Sequence, residues 1–297
     1  MSMPIETIME QTSNDVGVGL ASASFRWLVN GDGVRALACT ELETDGFTNA
    51  FSTRLGGCSP MPDAALNLAG FAEDEAVNIY ENRRRFLSLL AGDWTLAACW
   101  QVHGADVLAV RERPGRQRDG SIGEEERCDA LTTNRPGVLL GVKTADCVPI
   151  VLGDARTGAC AAVHAGWRGT LSGIVVRALA RMREDYGADP ADVRAAIGPA
   201  ALACCYEVGA EVVEAFESRF AYAEELLVPT APRPGHARID LHRANRRQLT
   251  DAGLSPERIH AAPLCTMCRT DLFFSYRREK SLYGKTGRLF GVIGRRG

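Results

Sequence analysis

The sequence predicts an α+β fold in which mixed β-sheets are flanked by helices. Two observations carry this reading. The middle of the chain holds several short apolar runs bounded by turn residues, the signature of strands. Segments with helical spacing are few and irregularly placed between them, so the regular βαβ alternation of an all-parallel sheet is missing. Size agrees: 297 residues, 46% of them apolar, can bury a substantial core in one large domain or two small ones.

Taken in order, residues 1–24 are small, polar and aperiodic and read as a loose leader. Residues 25–297 show no linker and no internal repeat and read as a single domain. AVNIYENRRRFLSLLAG (76–92) places Val77, Tyr80, Phe86 and Leu90 at helical spacing. LAACWQV (96–102) and DVLAV (106–110) read as the two strands of a hairpin turning at His103, Gly104 and Ala105. The charged, apolar-poor stretch 111–127 reads as a long surface loop. GVLLGV (137–142), VPIVLG (148–153) and ACAAVHA (159–165) are further strands. Residues 170–187 read as a helix with Leu171, Ile174, Ala178 and Met182 on one face, Thr170 as N-cap and Gly187 as its stop. Residues 207–220 and, more weakly patterned, 241–253 are further helices.

Charge and cysteine usage narrow the class. Thirty-four basic residues against 37 acidic ones leave a net charge of −3, without the basic footprint of a nucleic-acid or anionic-membrane partner. No apolar run approaches the roughly 18 residues of a membrane span. The N-terminal segment lacks the apolar centre of a signal peptide. Ten scattered cysteines in a chain too long to need disulfide staples then imply a reducing cytoplasm and mainly packing roles. Five histidines exclude any site built from many imidazoles.

The most informative geometry lies in KTADCVPIVLGDARTGACAAVHAGWRG (143–169). Residues 153–158 form a turn between two apolar strands. If that turn centres near Ala155 and Arg156, Cys147 and His164 face each other on one side of the hairpin, with Cβ atoms roughly 5 Å apart. That spacing suits a shared metal or a Cys–His nucleophile pair, while two core residues with satisfied polar groups remain the structural alternative. Asp146 is placed to support Cys147 with its carboxylate. The glycine-rich turn after His164, with Arg168 and the start of the following helix, suits an anion. His103 is a third candidate ligand; His236, His242 and His260 have no spacing partners. Cys265 and Cys268 form a CxxC without a second CxxC, and the adjacent Cys204 and Cys205 do not replace one, so buried packing is the expected role, with structural support of the pocket second.

The ordered motifs FSTRLGG (51–57), LNLAG (66–70), WQVHGADV (100–107), CDALTT (128–133), TADCVP (144–149), HAGWRG (164–169), CCYEVG (204–209), CTMC (265–268) and FFSYRR (273–278) resemble the YfiH family. Its members carry the labels laccase-domain protein, polyphenol oxidase and peptidoglycan editing factor, and are described as purine nucleoside enzymes. The resemblance implies a YfiH-like fold, grouped with a toxin deamidase that uses a Cys–His pair. It also implies one zinc held by His103, Cys147 and His164, with an open fourth position. Phe71, where many members have His, and Cys58 depart from the family pattern.

The expectation is therefore a zinc-dependent purine nucleoside enzyme. It would phosphorolyse adenosine, inosine and 5′-methylthioadenosine and deaminate adenosine. Cys147, Arg54 and Asp146 are the candidate catalytic residues, and Arg168 and Asn67 the candidates for binding substrate. Nucleosides and phosphate are the expected partners; the oligomeric state is not readable. The rivals are a Cys147/His164 hydrolase acting on a peptidoglycan precursor and a copper-dependent polyphenol oxidase. Five histidines disfavour the latter, since multicopper clusters are built almost wholly from imidazoles, although adventitious copper fits the same three ligands.

Overall fold

The computed structural model describes residues 24–61, 65–69, 74–112, 121–122, 126–230 and 233–297, with only the backbone at 121–122. The leader apart from Ser24, Phe71 and most of the charged stretch 111–127 therefore lie outside the described residues. The strands are β1 (Phe25–Val29), β2 (Arg35–Cys39), β3 (Phe47–Ser52), β4 (Thr95–Ala97), β5 (Val107–Ala109), β6 (Ser121–Ile122), β7 (Ala130–Thr133) and β8 (Val138–Thr144). They continue with β9 (Val148–Asp154), β10 (Cys160–Ala165), β11 (Val193–Ile197), β12 (Glu207–Val208), β13 (Leu227–Pro229), β14 (Ala237–Ile239), β15 (Ile259–Ala261) and β16 (Leu289–Arg295). The α-helices are α1 (Thr40–Thr44), α2 (Ala76–Ser88), α3 (Trp167–Leu171), α4 (Ile174–Tyr186), α5 (Ala210–Arg219), α6 (Leu241–Asp251) and α7 (Tyr276–Tyr283).

A seven-stranded sheet in the order β1-β2-β3-β16-β8-β4-β6 faces a six-stranded one in the order β15-β11-β9-β10-β7-β5; β12-β14-β13 form a small third sheet. Both large sheets are mixed: β4 runs parallel to β8 and β5 to β7, while β16 and β10 run antiparallel to their neighbours. Period-two alternation sorts the side chains into layers. Leu140, Val142 and Ile293 meet Val151, Ala162 and Ala196 between the sheets. Leu139 and Val292 point the other way, onto Phe86 of α2. Ile150, Val163 and Ala195 pack against α4 and α6. The central strands are thus buried on both faces, which is why they read as unbroken apolar runs.

The expected helix at 170–187 begins twice. Helix α3 stops at Leu171, Gly173 adopts a left-handed φ of 73°, and α4 then runs to a stop at Gly187, φ 72°. Thr170 is fully buried rather than an N-cap; its hydroxyl accepts from Asn245 Nδ2 at 3.0 Å. Helix α2 forms as expected but is rotated: Val77 is 66% exposed, while Asn82 and Arg83 are buried. Those two face inward because loop backbone satisfies them, Asn82 Nδ2 donating to Asn67 O at 2.9 Å and Arg83 Nε to Leu68 O at 2.8 Å. The hairpin expected around 103–105 does not form, because β4 and β5 belong to different sheets. Residues 207–208 are strand, so the third helix starts at Ala210; α6 follows its N-cap Asp240, whose carboxylate accepts from Arg243 N.

Helix α6 also carries a pH-sensitive group. His242 is half-buried with its Nε2 shielded from solvent and without a hydrogen-bond partner among the described residues, and desolvation pushes its pKa down to about 4. The unfolded chain binds a proton near pH 6.5 and the folded one does not until about pH 4. Stability is therefore full above pH 6.5 and falls by about 3 kcal/mol as the pH drops through 4. Urea midpoints between pH 4 and 7.5 should decline less steeply for His242→Leu than for wild type; parallel curves would show that His242 is not the cause.

Candidate active site

The chain passes between the two large sheets at two neighbouring places, and each crossing contributes a ligand. The segment between β4 and β5 carries His103, with a left-handed φ of 60°. Ala145 to Cys147 link β8 to β9, with Asp146 at φ 90°. His164 lies near the end of β10 opposite Pro149, so the hairpin centres one residue later than expected. Cys147 is then two residues from the directly opposed position, and a shift of two preserves the side of the strand. His103, Cys147 and His164 converge, each offering a ligand atom within 4.8 Å of the others. The two imidazoles meet edge to face with centroids 4.9 Å apart. Gly166 lets the chain pass close to the triad: a Cβ would stand at a tight 3.2 Å from both Cys147 Sγ and His103 Cδ2.

Asp129, fully buried just before β7, organises this triad. One carboxylate oxygen meets His164 Nδ1 at 2.7 Å and accepts from His103 N at 2.9 Å. The other accepts from Gly104 N at 2.7 Å and Val102 N at 3.2 Å. The crossing that carries His103 is thereby folded onto the strand that carries His164, and His164 is left with Nε2 as its available nitrogen. Burial opposes ionisation of the Cys147 thiol, but the charge of His164 and hydrogen bonds from both histidines outweigh it and bring the thiol down to about 6. Burial likewise opposes a charged His164, and the Cys147 thiolate with Asp129 raises it to about 9. One soft sulfur and two imidazoles, with a carboxylate behind one of them, fit a tetrahedral zinc with one position open.

The triad forms part of the wall of a cavity of about 930 Å³. Trp100, Trp167, Tyr206 and Tyr276 give it aromatic walls. Three guanidiniums line it and lie over those rings: Arg168 over Trp167 at 4.2 Å, Arg277 over Tyr206 at 5.2 Å and Arg288 over Tyr276 at 5.8 Å.

Of the residues expected at the site, Arg168 lines this cavity and three others are committed elsewhere. Arg54 is buried in an ion pair with Glu279 at 2.7 Å, with its guanidinium over Phe274, and does not line the cavity. Asn67 is fully buried and bonds to Asp74 and to Arg288 N, out of reach of a sugar. Asp146 borders the cavity, yet its carboxylate accepts from Thr266 Oγ1, Ser275 Oγ and Arg277 N at 2.6–3.0 Å. It therefore ties three segments together rather than supporting Cys147. The helix expected to present its N-terminus to an anion is, next to the cavity, the five-residue α3. Sequence reasoning missed Asp129; its one signal was an acidic residue at the mouth of an apolar strand, in CDALTT. Packing describes only half of the CxxC: Cys265 is buried against Ala201 and Met267, but Cys204, Cys205, Cys265 and Cys268 form a second cluster in which Cys204 and Cys268 are exposed. His236 pairs with Glu207 and His260 lies beside Arg194, so no further imidazole cluster exists among the described residues.

Comparison with known proteins agrees with this architecture. Residues 48–296 match the family model described as "Multi-copper polyphenol oxidoreductase laccase". The chain is 36% identical over 264 residues to "Purine nucleoside phosphorylase YlmD" of Geobacillus stearothermophilus, covering 88% of this chain and 94% of that protein. It is 36% identical over 260 residues to "Adenosine deaminase RL5" from an unknown prokaryotic organism, covering 86% and 92%. The crystal structure of YlmD from Geobacillus stearothermophilus superimposes with a TM-score of 0.80 at 34% identity, over 93% of this chain and all of that one. That of the Bacillus licheniformis protein YfiH gives 0.79 at 30%, over 88% and 96%. No helix among the described residues is long and apolar enough to cross a membrane. In sequence and in fold, the chain belongs to the YfiH/YlmD family of laccase-domain, purine nucleoside phosphorylase-like enzymes.

Proposed function

We propose that this protein is a zinc-dependent purine nucleoside enzyme, phosphorolysing adenosine, inosine and 5′-methylthioadenosine and hydrolytically deaminating adenosine. The observation that carries the reading is the His103–Cys147–His164 triad set in an aromatic, guanidinium-lined cavity. The relatives named for purine nucleoside phosphorylase and adenosine deaminase activity support it.

Zinc, held by His103, Cys147 and His164, would supply a Lewis acid beside the substrate. The rest of the work falls to the chain. Trp100, Trp167, Tyr206 and Tyr276 offer faces on which a purine stacks. Arg168 and Arg277 replace Arg54 as the phosphate-binding groups, because a guanidinium meets two phosphate oxygens at once. Phosphorolysis exchanges the bond from ribose C1′ to the purine nitrogen for one from C1′ to a phosphate oxygen, so phosphate must sit beside the sugar while the base stays stacked. Asp129 holds His164 and the His103 backbone in place throughout.

Zinc-loaded protein incubated with the three nucleosides, with and without phosphate, should release free base only when phosphate is present. Adenosine alone should yield inosine. Arg168→Ala and Arg277→Ala should each raise the KM for phosphate by about 10- to 100-fold, the value of a charge-assisted hydrogen bond. Absence of turnover with every nucleoside, at full metal occupancy, would refute the proposal.

The depressed Cys147 thiol beside a raised His164, with Asp129 behind it, also favours a second reading. In it Cys147 is the nucleophile of a hydrolase acting on a peptidoglycan precursor. Activity that survives metal removal and is lost on alkylation of Cys147 belongs to that reading alone.

A further inference from the structure

Two turns packed against Tyr206 bring four cysteines together from distant parts of the sequence. Cys204 and Cys205 lie in the turn after β11, where Cys205 N and Tyr206 N both donate to Leu202 O. Cys265 forms an isolated parallel bridge with Ala200, and Cys268 follows one turn later. Their sulfurs stand 3.4 Å apart for Cys204–Cys205, 3.5 Å for Cys204–Cys268, 3.5 Å for Cys205–Cys265 and 3.1 Å for Cys205–Cys268. All four lie within 4.8 Å of one another, and all are free thiols.

We propose that Cys204, Cys205, Cys265 and Cys268 form a second metal centre, a closed tetrathiolate site for a structural zinc ion. A tetrahedral zinc with Zn–S bonds of about 2.3 Å separates its sulfurs by about 3.8 Å, a few tenths of an ångström beyond these four distances and within the 4.8 Å that bounds every pair. The pairs are too far apart for the bond of about 2.05 Å that a disulfide requires. They are too close together to enclose the multi-iron core of an iron–sulfur cluster. Two backbone donors face one of the four sulfurs: Leu202 N donates to Cys265 Sγ at 3.5 Å, and the backbone N–H of Cys268 points at the same atom. Arg238 Nη1 donates to Cys204 O at 3.2 Å, and its buried Nε has no hydrogen-bond partner among the described residues. Zinc binding exchanges four S–H bonds for four S–Zn bonds and releases the protons to solvent.

The position explains what the ion does. Tyr206, adjacent to Cys205, walls the nucleoside cavity. Thr266, adjacent to Cys265, donates to Asp146 at 2.6 Å, and Asp146 directly precedes Cys147. Zinc in this cluster clamps the two turns that hold one wall and one ligand of the active site, whichever reaction that site performs.

Elemental analysis of purified full-length protein tests the proposal. Two zinc ions per chain are expected in wild type, one in His103→Ala and one in Cys204→Ser/Cys268→Ser. After cobalt replacement, the strong thiolate-to-metal charge-transfer band should survive His103→Ala and lose most of its intensity in the double cysteine variant. If that variant does not fold, alkylation of wild type decides: all four cysteines should be protected until a strong chelator is added. A single zinc per chain in wild type, alkylation of Cys204 and Cys268 at rates the chelator does not change, or a Cys205–Cys268 disulfide in freshly purified protein would each overturn the proposal.

Discussion

Asp129→Ala is expected to weaken zinc binding and nucleoside turnover together, each by at least 10- to 100-fold. That is the usual cost of removing the partner that orients a metal-binding histidine. The loss should exceed that of an ordinary supporting residue, because Asp129 also accepts from the backbone N–H groups of Val102, His103 and Gly104. These three part-buried donors would lose their acceptor together, so the crossing that carries His103 should loosen. Asp129→Asn is the gentler probe: it keeps the volume, but its amide donates where the carboxylate only accepted. Metal competition against a chromophoric chelator, followed by kcat/KM with inosine at saturating zinc, separates the two effects. Excess zinc should restore part of the activity of Asp129→Asn and less of that of Asp129→Ala. Unchanged affinity in both variants would remove Asp129 from the site.

Arg54→Ala is expected to unfold the protein readily rather than to alter phosphate binding. Arg54 and Glu279 form an ion pair with both side chains less than a tenth exposed. Glu279 also accepts from Ser275 N and Thr286 Oγ1, and Arg54 donates to Thr270 O. Removing the guanidinium leaves a buried carboxylate without its counter-charge, a loss of about 3–5 kcal/mol. For a chain of this size, that corresponds to a fall in Tm on the order of 10 °C. Arg54→Met/Glu279→Leu should recover much of the loss, because an apolar pair of similar volume avoids the cost of desolvating two charges. The KM for phosphate should stay near wild type in the double variant. A large rise in KM without a fall in Tm would return Arg54 to the binding site.

These two residues show where sequence reasoning succeeds and where it stops. Cys147 and His164 could be paired in advance because side chains in a strand repeat every two residues, so an error of two in the register left them on the same side. His103 was legible only through the resemblance to the YfiH family, since a lone histidine on a turn carries no spacing signal. Arg54, Asn67 and Asp146 sit in family motifs as prominent as those of the ligands, yet they hold the scaffold. A motif shows that a residue matters without showing whether it faces solvent. The buried polar face of α2 follows the same logic: Asn82 and Arg83 point inward because loop carbonyls wait for them, and a count of apolar positions does not register that.

Local rules of the chain were enough to establish an α+β architecture, its short apolar strands, a helix closed at Gly187 and a Cys–His pair across one hairpin. Apolar periodicity, turn chemistry and strand parity act over a few residues and are written directly in the order of side chains. The passage of two adjacent segments between sheets, the convergence of Asp129 on both histidines and the meeting of Cys204 and Cys205 with Cys265 and Cys268 depend on how distant segments pack. The two cysteine pairs lie some sixty residues apart and come together only because Ala200 and Cys265 lie side by side in the folded chain. No local spacing rule contains that contact, because it continues the parallel pairing of β11 with β15, two strands from distant parts of the chain.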